Sequence, residues 1–377
     1  LIRDIILLKS SKLHIKPFKR YSVVPGLFSH PVYEQTRIMY ERENSLLLSA
    51  SASALCNNLA VINRKAGKSG GNATNIAVVH QNNINIIPVT ESEKNKPVFL
   101  TVHSNGSVLC EVTQVLWCDL GFEVVLVVGS TLGLHIYDRD GVELLFSHPC
   151  IDGPEEEYNF VKGIATLNNE VLCVGNSSGV LRVFGVLDEE TCLSFMDRKE
   201  GHMDAITDIA SIDYRLASAD DSGVICLWYF NGTELLQIAT VDTFGSAVTS
   251  LFLWKDWLAA AYGSGHIRIF DSSKINYTYD GSRPVTAVRL LTETAAHARY
   301  ITAMDVALGV DYLLTASEDS YVKIWRVCKN NNVTEINLLC SSQISDQMLV
   351  GGRFLNKNGT GFCVSAYDTN LVHCFKT

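Results

Sequence analysis

Short runs of alternating apolar and polar residues recur along this chain, each preceded by a turn-rich stretch. Alternation with a period of two is typical of β-strands that have one buried face. Six of these runs end on an aromatic residue: Leu134-His135-Ile136-Tyr137, Leu181-Arg182-Val183-Phe184, Ile225-Cys226-Leu227-Trp228, Ile267-Arg268-Ile269-Phe270, Val322-Lys323-Ile324-Trp325 and Val372-His373-Cys374-Phe375. Successive aromatics lie 47, 44, 42, 55 and 50 residues apart. A period of roughly 40 to 50 residues with four strands per unit is typical of propeller blades.

From Ser45 onward, strand-like runs alternate with clusters of Gly, Asn, Asp and Ser, and no stretch keeps a helical period. We therefore predict an all-β fold, a single seven-bladed β-propeller over residues 45–377. The blades are predicted at residues 52–110, 111–150, 157–198, 199–242, 244–294, 295–342 and 343–377. Because the last segment has only three strand-like runs, we expect the N-terminal strand Leu46-Leu47-Leu48 to complete that blade, which removes free sheet edges.

Residues 1–44 are predicted to be a basic N-terminal extension. Residues 1–38 contain seven Lys or Arg and two acidic residues, a net charge of +5, whereas the remainder carries −14. The segment has three prolines and no sustained hydrophobic period, and the first methionine of the chain is Met39. We expect a disordered arm or residues that are not native to the protein. A basic arm that contacts an anionic surface is the alternative.

Composition excludes several classes of function. The net charge of −9 argues against a general nucleic-acid binder, because such proteins are usually basic. Eleven cysteines occur without a C-x-x-C pair, so we expect neither a disulfide framework nor a metal centre. Free cysteines indicate a reducing compartment, and we expect a cytoplasmic protein. No apolar run approaches the roughly 18 residues of a membrane span, and no cofactor is predicted.

Two blades carry residue types that suit a buried hydrogen-bonded relay. An acid can accept from an imidazole, the second imidazole nitrogen can meet a hydroxyl, and that hydroxyl can accept from an indole N–H. The predicted tetrads are His297, Thr315, Asp319 and Trp325, and His202, Ser218, Asp221 and Trp228. In the second tetrad Asp220 is a competing candidate for the acid.

This pattern resembles the WD40-repeat propellers, in which Gly-His opens a repeat and Trp-Asp closes it. Gly201-His202 matches the opening dipeptide, whereas Trp228 is followed by Tyr229 and Trp325 by Arg326. Several other blades lack the histidine, so we expect a tetrad in only two blades. The resemblance implies a non-enzymatic interaction scaffold and does not name a ligand.

Candidate binding residues follow from repeat position. The loops that join blades and the inner hairpin turns gather on one face, which we call the top face. Seven residues are expected around the central channel there: Phe160, Lys162, Thr207, Asp220, Tyr300, Thr302 and Glu318. We expect this face of a monomeric propeller to bind peptides or protein domains within a larger complex.

Two other functions stay open at this point. One is an enzyme with a site at the channel mouth, and the other is a reader of basic or modified peptide tails that uses the aromatics and acids of the top face. Gly175-Asn176-Ser177-Ser178-Gly179 fits the G-x-S-x-G pattern. A strand-like run follows it where a nucleophile elbow requires a helix, so we predict a hairpin turn and no enzyme.

Overall fold

The computed structural model describes residues 38–65, 72–89, 97–103, 110–152, 157–188, 192–273 and 288–377. The predicted extension therefore lies outside the described residues as far as residue 37. Every regular element in these ranges is a β-strand, and none of their residues forms a helix long and apolar enough to cross a membrane. Seven antiparallel sheets form the blades, so the prediction of a seven-bladed all-β propeller is confirmed.

The strands follow one another in chain order. Two short strands come first, β1 Glu41–Arg42 and β2 Leu46–Leu47. Blade 1 contains β3 Ala60–Lys65, β4 Asn72–His80, β5 Asn83–Val89 and β6 Val98–Thr101. Blade 2 contains β7 Val112–Asp119, β8 Val124–Ser130, β9 Gly133–Tyr137 and β10 Leu144–His148. A two-stranded ladder follows, β11 Ile151–Asp152 and β12 Glu157–Tyr158.

The next three blades have the same four-strand order. Blade 3 contains β13 Val161–Leu167, β14 Val171–Asn176, β15 Val180–Val186 and β16 Leu193–Glu200. Blade 4 contains β17 Ile206–Ile212, β18 Arg215–Asp220, β19 Ile225–Phe230 and β20 Leu235–Val241. Blade 5 contains β21 Val248–Trp254, β22 Trp257–Tyr262, β23 His266–Asp271 and β24 Arg289–Ala295.

The last two blades differ in length and in composition. Blade 6 contains β25 Ile301–Ala307, β26 Tyr312–Ser317, β27 Tyr321–Asn330 and β28 Val333–Gln343. Blade 7 contains β29 Leu349–Phe354, β30 Gly361–Ala366 and β31 Leu371–Lys376, and β1 and β2 both pair with β31. The first strands of neighbouring blades contact one another, so the first strand of a blade is its innermost strand and lines the central channel.

The aromatic residues that define the sequence repeat hold neighbouring blades together. Each lies on the third strand of its blade and packs against the preceding blade. Trp228 lies in a buried cluster with Leu181 of blade 3, and Phe270 packs in a cluster with Leu227 of blade 4. Burial of an aromatic of this size contributes on the order of 2–3 kcal/mol. The period visible in the sequence is therefore the period of contacts between blades.

The N-terminus closes the ring as predicted, and it does so over a longer stretch than predicted. Leu46 pairs with Val372, and Glu41 pairs with Lys376. The Tyr40 hydroxyl donates to the Gly359 carbonyl at 2.5 Å. Contacts with blade 7 therefore extend at least to Tyr40, before residue 45, because a buried tyrosine and a strand of two residues produce no alternating run.

Candidate functional site

The tetrad predicted in blade 6 is present. His297 Nδ1 lies 3.0 Å from Asp319 Oδ2, and His297 Nε2 lies 2.8 Å from Thr315 Oγ1. Trp325 Nε1 donates to the same hydroxyl at 2.9 Å. Asp319 also accepts from the backbone N–H of Ala298 at 3.0 Å. The network therefore ties the turn between β26 and β27 to the loop that enters the blade.

The tetrad in blade 4 contains a different acid from the predicted one. His202 Nδ1 lies 2.8 Å from Asp220 Oδ2, and His202 Nε2 lies 2.7 Å from Ser218 Oγ. Trp228 Nε1 donates to the same Ser218 hydroxyl at 2.8 Å. The assignment of Asp221 is wrong, and the competing candidate Asp220 has this role. Asp220 follows Ser218 by two residues in β18, so both side chains lie on one face of the strand.

Neither tetrad histidine is suited to general base catalysis. Burial lowers the pKa of His297 to about 4, although the neighbouring Asp319 acts in the opposite direction. Burial opposes the negative charge of Asp220, but hydrogen bonds from His202 and Ser222 outweigh it and lower the pKa of this carboxyl. A buried imidazole with both nitrogens engaged holds the blade together and has no site left for a substrate.

One hydrogen bond repeats around the top face. In each blade from 2 to 7 a backbone N–H in the turn between the second and third strands donates to the carbonyl of the residue before the first strand. The pairs are Thr131 to Glu111 at 2.9 Å, Ser177 to Phe160 at 3.0 Å, Asp221 to Ala205 at 3.0 Å, Gly263 to Ala247 at 3.0 Å, Glu318 to Tyr300 at 3.1 Å and Tyr367 to Met348 at 2.8 Å. Phe160, Tyr300 and Met348 therefore occupy equivalent positions around the mouth of the channel.

A family model named WDR54 matches residues 39–377. The chain belongs to the WDR54 family. The WD repeat-containing protein 54 of Mus musculus is 32% identical over 354 residues, which cover 90% of this chain and 100% of the mouse protein. The Homo sapiens protein of that name is 30% identical over 352 residues, with 90% and 100% coverage. The resemblance to WD40-repeat propellers is thereby confirmed.

A solved structure supports the fold of this WDR54-family chain. A chain in "Crystal Structure of Mitotic Checkpoint Complex" aligns with a TM-score of 0.64 over 97% of this chain and 99% of that chain. The two sequences are 15% identical, so the similarity concerns the fold alone.

Five of the seven predicted binding residues are partly exposed on the top face: Phe160, Lys162, Thr207, Tyr300 and Glu318. The other two are buried and are corrections to the prediction. Thr302 is 2% exposed, and its hydroxyl donates to the Leu349 carbonyl of the next blade at 2.7 Å. Asp220 is 1% exposed and is bound to His202. Both side chains stabilise the ring and do not reach a partner.

Four residues at the mouth were not among the predicted binding residues: Cys56, Asp221, which was predicted as a tetrad acid, Met348 and Tyr367. Met348 and Tyr367 occupy the repeat positions of Tyr300 and Glu318, so the strand register could have indicated them. Tyr367 is 48% exposed. Cys56 belongs to the segment that approaches blade 1, where no repeat signal exists.

Cys56 directly precedes Asn57, the residue that bonds across the channel to blades 4 and 6. Burial raises the pKa of its thiol, and the carboxylates of Glu318 and Asp221 raise it further, whereas Lys162 acts in the opposite direction. A protonated thiol is a weak nucleophile. Burial likewise raises the pKa of Tyr300 to about 12, and Cys56, Asp221 and Glu318 add to the rise. Tyr300 and Cys56 therefore both feel the carboxylates of Asp221 and Glu318.

Acidic residues predominate on the top face. In the described connections of this face, outside the tetrads, the acidic residues are Glu111, Asp204, Asp221, Asp242, Glu318, Asp346 and Asp368. In the same described connections the basic residue is Arg299, and Lys162 lies on the adjacent inner strand of blade 3. The described connections of this face therefore contain more acidic than basic residues, which favours positively charged ligands.

The segment before β3 closes the channel beneath the mouth. The Asn57 N–H donates to the Thr302 carbonyl in blade 6 at 2.8 Å, and Asn57 Nδ2 donates to Asp208 Oδ2 in blade 4 at 3.3 Å. The Asn58 N–H donates to the Val350 carbonyl of blade 7 at 3.0 Å. We call Asn57 and Asn58 the plug. Below it, a cavity of about 220 Å³ is lined by inner strands of blades 2 to 5 and by Arg353.

The channel also contains buried charges. Arg353 Nη1 lies 3.2 Å from Asp305 Oδ1, and the Phe354 N–H donates to Asp305 Oδ2 at 2.7 Å. Burial raises the pKa of both Asp208 and Asp305, whereas Arg353 acts in the opposite direction. In the described part of the chain, no cluster of three or more His, Cys, Asp or Glu side chains has a geometry that could hold a metal ion.

Proposed function

We propose that this propeller is a non-enzymatic scaffold that binds a peptide or a protein domain on its top face. WD-repeat propellers generally mediate protein interactions, and this chain belongs to one such family. The observation that carries the proposal is the mouth itself, where loops from every blade meet. Phe160, Tyr300, Met348 and Tyr367 present apolar surface there beside carboxylates. Aromatic anchors near the centre of an interface tend to carry most of the binding energy.

The opposite face supports this choice by contrast, because its turns bind one another. Lys255 Nζ lies 2.6 Å from Asp311 Oδ2 of the next blade, and Arg215 donates to the Lys255 carbonyl at 3.2 Å. Asn168 Nδ2 donates to the Tyr214 hydroxyl at 2.7 Å. Polar groups that already form hydrogen bonds with each other across blades are less available for hydrogen bonds to a partner protein.

An enzyme at the mouth is the weaker candidate. A cysteine nucleophile needs a lowered pKa, and burial raises the pKa of Cys56. The tetrad residue His297 already has both ring nitrogens in hydrogen bonds. The contacts of these side chains therefore support a binding surface better than a catalytic one.

The test is affinity purification from cell extract with the double variant Tyr300→Ala and Phe160→Ala. The matched control is Phe99→Ala with Leu338→Ala, which removes two apolar side chains from outer strands where they are 43% and 45% exposed. We expect the top-face variant to lose partners that the wild-type chain and the control retain, with unchanged circular dichroism. Full recovery of every partner by the top-face variant would refute the proposal.

Two further proposals concern the setting of the protein. We infer a cytoplasmic location, which the eleven free cysteines support, and a monomeric propeller within a larger complex. Cell fractionation tests the first proposal, and light scattering coupled to size-exclusion chromatography tests the second. Recovery in the secreted fraction, or a dimer at micromolar concentration, would contradict them.

A further inference from the structure

The centre of the top face contains two carboxylates in a specific arrangement around an aromatic ring. Asp221 lies in the turn of blade 4 and Glu318 in the turn of blade 6. Tyr300 extends from blade 6 across the turn of blade 5, where a Cβ at Gly263 would lie only 2.4 Å from its Cε2 atom. The glycine therefore allows the ring to lie against the backbone of blade 5, between the two turns that carry the acids.

The carboxylates of Asp221 and Glu318 have no ion-pair partner among the described residues. Their backbone N–H groups hold them in place by bonds to Ala205 and Tyr300. Asp221 is exposed and Glu318 is half-buried, so both remain accessible to a ligand. Lys162 and Arg299 supply positive charge on this face, against the seven acidic residues of its described connections.

This arrangement suits a cationic side chain. A guanidinium or an ammonium group can form charge-assisted hydrogen bonds to carboxylates, roughly twice as strong as neutral ones. The face of a tyrosine ring attracts a cation as well. The surrounding Met348 and Tyr367 offer apolar surface to the aliphatic part of a Lys or Arg side chain.

We propose that the occupant of the mouth is a basic segment of a partner protein, with an Arg or Lys side chain held between Asp221 and Glu318 beside Tyr300. This inference rests on the proposed function and specifies the chemistry of the partner. The excess of acidic residues in the described connections of the top face attracts such a segment before contact. Because exposed charges are screened by salt, the affinity falls as ionic strength rises.

The experiment measures fluorescence anisotropy of three labelled peptides on the full chain. The peptides share one Gly-Ser host sequence and carry four Arg, four Gln or four Glu residues. We expect the Arg peptide to bind most tightly, with a Kd that rises with salt. The double variant Asp221→Asn with Glu318→Gln keeps the side-chain shapes and removes both charges, and we expect it to weaken binding about tenfold or more.

The matched control is Glu234→Gln with Asp256→Asn. Both acids are exposed in turns of the opposite face, so the control makes the same change in net charge away from the mouth. We expect it to change the Kd less than about twofold, since screening is strong beyond roughly 10 Å. Equal weakening by both variants, or tighter binding of the Gln or Glu peptide, would overturn the inference.

The two proposals can fail separately. If Tyr300→Ala with Phe160→Ala releases natural partners while the Asp221 and Glu318 variant binds the Arg peptide normally, the top face is an interface and the basic occupant is wrong. If neither variant changes any binding, the proposed function is wrong as well. Thermal denaturation of each variant checks that the fold is intact, and both amide replacements lie at accessible side chains.

Discussion

The side-chain amide of Asn57 donates to the carboxylate of Asp208 at 3.3 Å, although the two residues lie 151 positions apart in the chain. The bond connects the segment before blade 1 to the inner strand of blade 4. Asp208 Oδ2 also accepts from the Leu251 N–H of blade 5 at 2.8 Å. A single buried carboxylate thus receives donors from two other parts of the ring, which offsets the cost of its burial.

This contact gives the N-terminal part of the propeller a second role beside the closure of blade 7. The residues after β2 cross to the channel, where Asn57 and Asn58 bind blades 4, 6 and 7. Removal of this plug would open the channel below the mouth and leave Asp208 without one donor. The energetic role of the plug is therefore open to direct measurement.

Asn57→Gly is expected to destabilise the propeller. Asn57 has a φ of 57°, so glycine keeps the left-handed backbone without strain while the amide that meets Asp208 is lost. An unmade buried hydrogen bond costs roughly 1–3 kcal/mol. Urea denaturation measures the change, and Gln81→Gly, at a turn with a φ of 53°, is the control. Equal stability of the two variants would show that the plug contributes nothing.

Asp220→Ala and Asp221→Ala should separate the two neighbouring acids. Asp220 is buried against His202, so its removal is expected to cost roughly 1–3 kcal/mol of unfolding free energy. Asp221 is exposed, and its loss is expected to stay within about 0.5 kcal/mol. Denaturant unfolding of both variants is the measurement, and a reversed order would contradict the observed tetrad.

Stability is expected to fall with acidification below neutral pH because of two buried histidines. Burial lowers the pKa of His297 to about 4, and burial together with Arg42 lowers that of His373 to about 4. The unfolded histidine has a pKa of about 6.5. Between these values the unfolded chain binds more protons than the native chain, so the stabilisation is complete above pH ~6.5 and is lost towards pH ~4.

The measurement is the free energy of unfolding in urea at a series of pH values. His373→Asn removes one of the two groups, so its curve should be flatter between pH ~6.5 and ~4 than that of the wild-type chain. The variant is also expected to be less stable at neutral pH, since His373 Nε2 lies 2.8 Å from Gln347 Oε1. A pH dependence identical to that of the wild-type chain would contradict the assignment.

Truncation at the N-terminus should show where the propeller begins. A chain that starts at Met39 keeps Tyr40 and β1, and we expect its melting temperature to equal that of the full chain. A chain that starts at Ser45 loses the Tyr40 bond to Gly359, the edge-on contact of Tyr40 with Phe362 and the bond from Arg42 to His373. We expect a drop of several degrees. Differential scanning calorimetry measures both, and equal melting temperatures would refute the role of Tyr40 and Arg42.

The sequence alone determined the architecture and one complete tetrad, because both depend on regular spacing. The third-strand aromatics such as Trp325 recur once per blade, since each must fill the same space beside the preceding blade. Asp319 could be assigned because it lies six residues before Trp325, and it does meet His297. Local chemistry repeated at a fixed period is visible without any coordinates.

Only the tertiary structure decided features that depend on direction or on distant contacts. Asp220 and Asp221 differ by one position, and the pleat of β18 decided which carboxylate meets His202, since successive side chains point to opposite faces. Thr302 is a polar residue of a type that is mostly exposed in proteins, yet the neighbouring blade buries it against Leu349. The position of Asn57 in the channel could not be predicted from the sequence. Its bond to Asp208 crosses the ring, and such a contact produces no repeating pattern of residues along the chain.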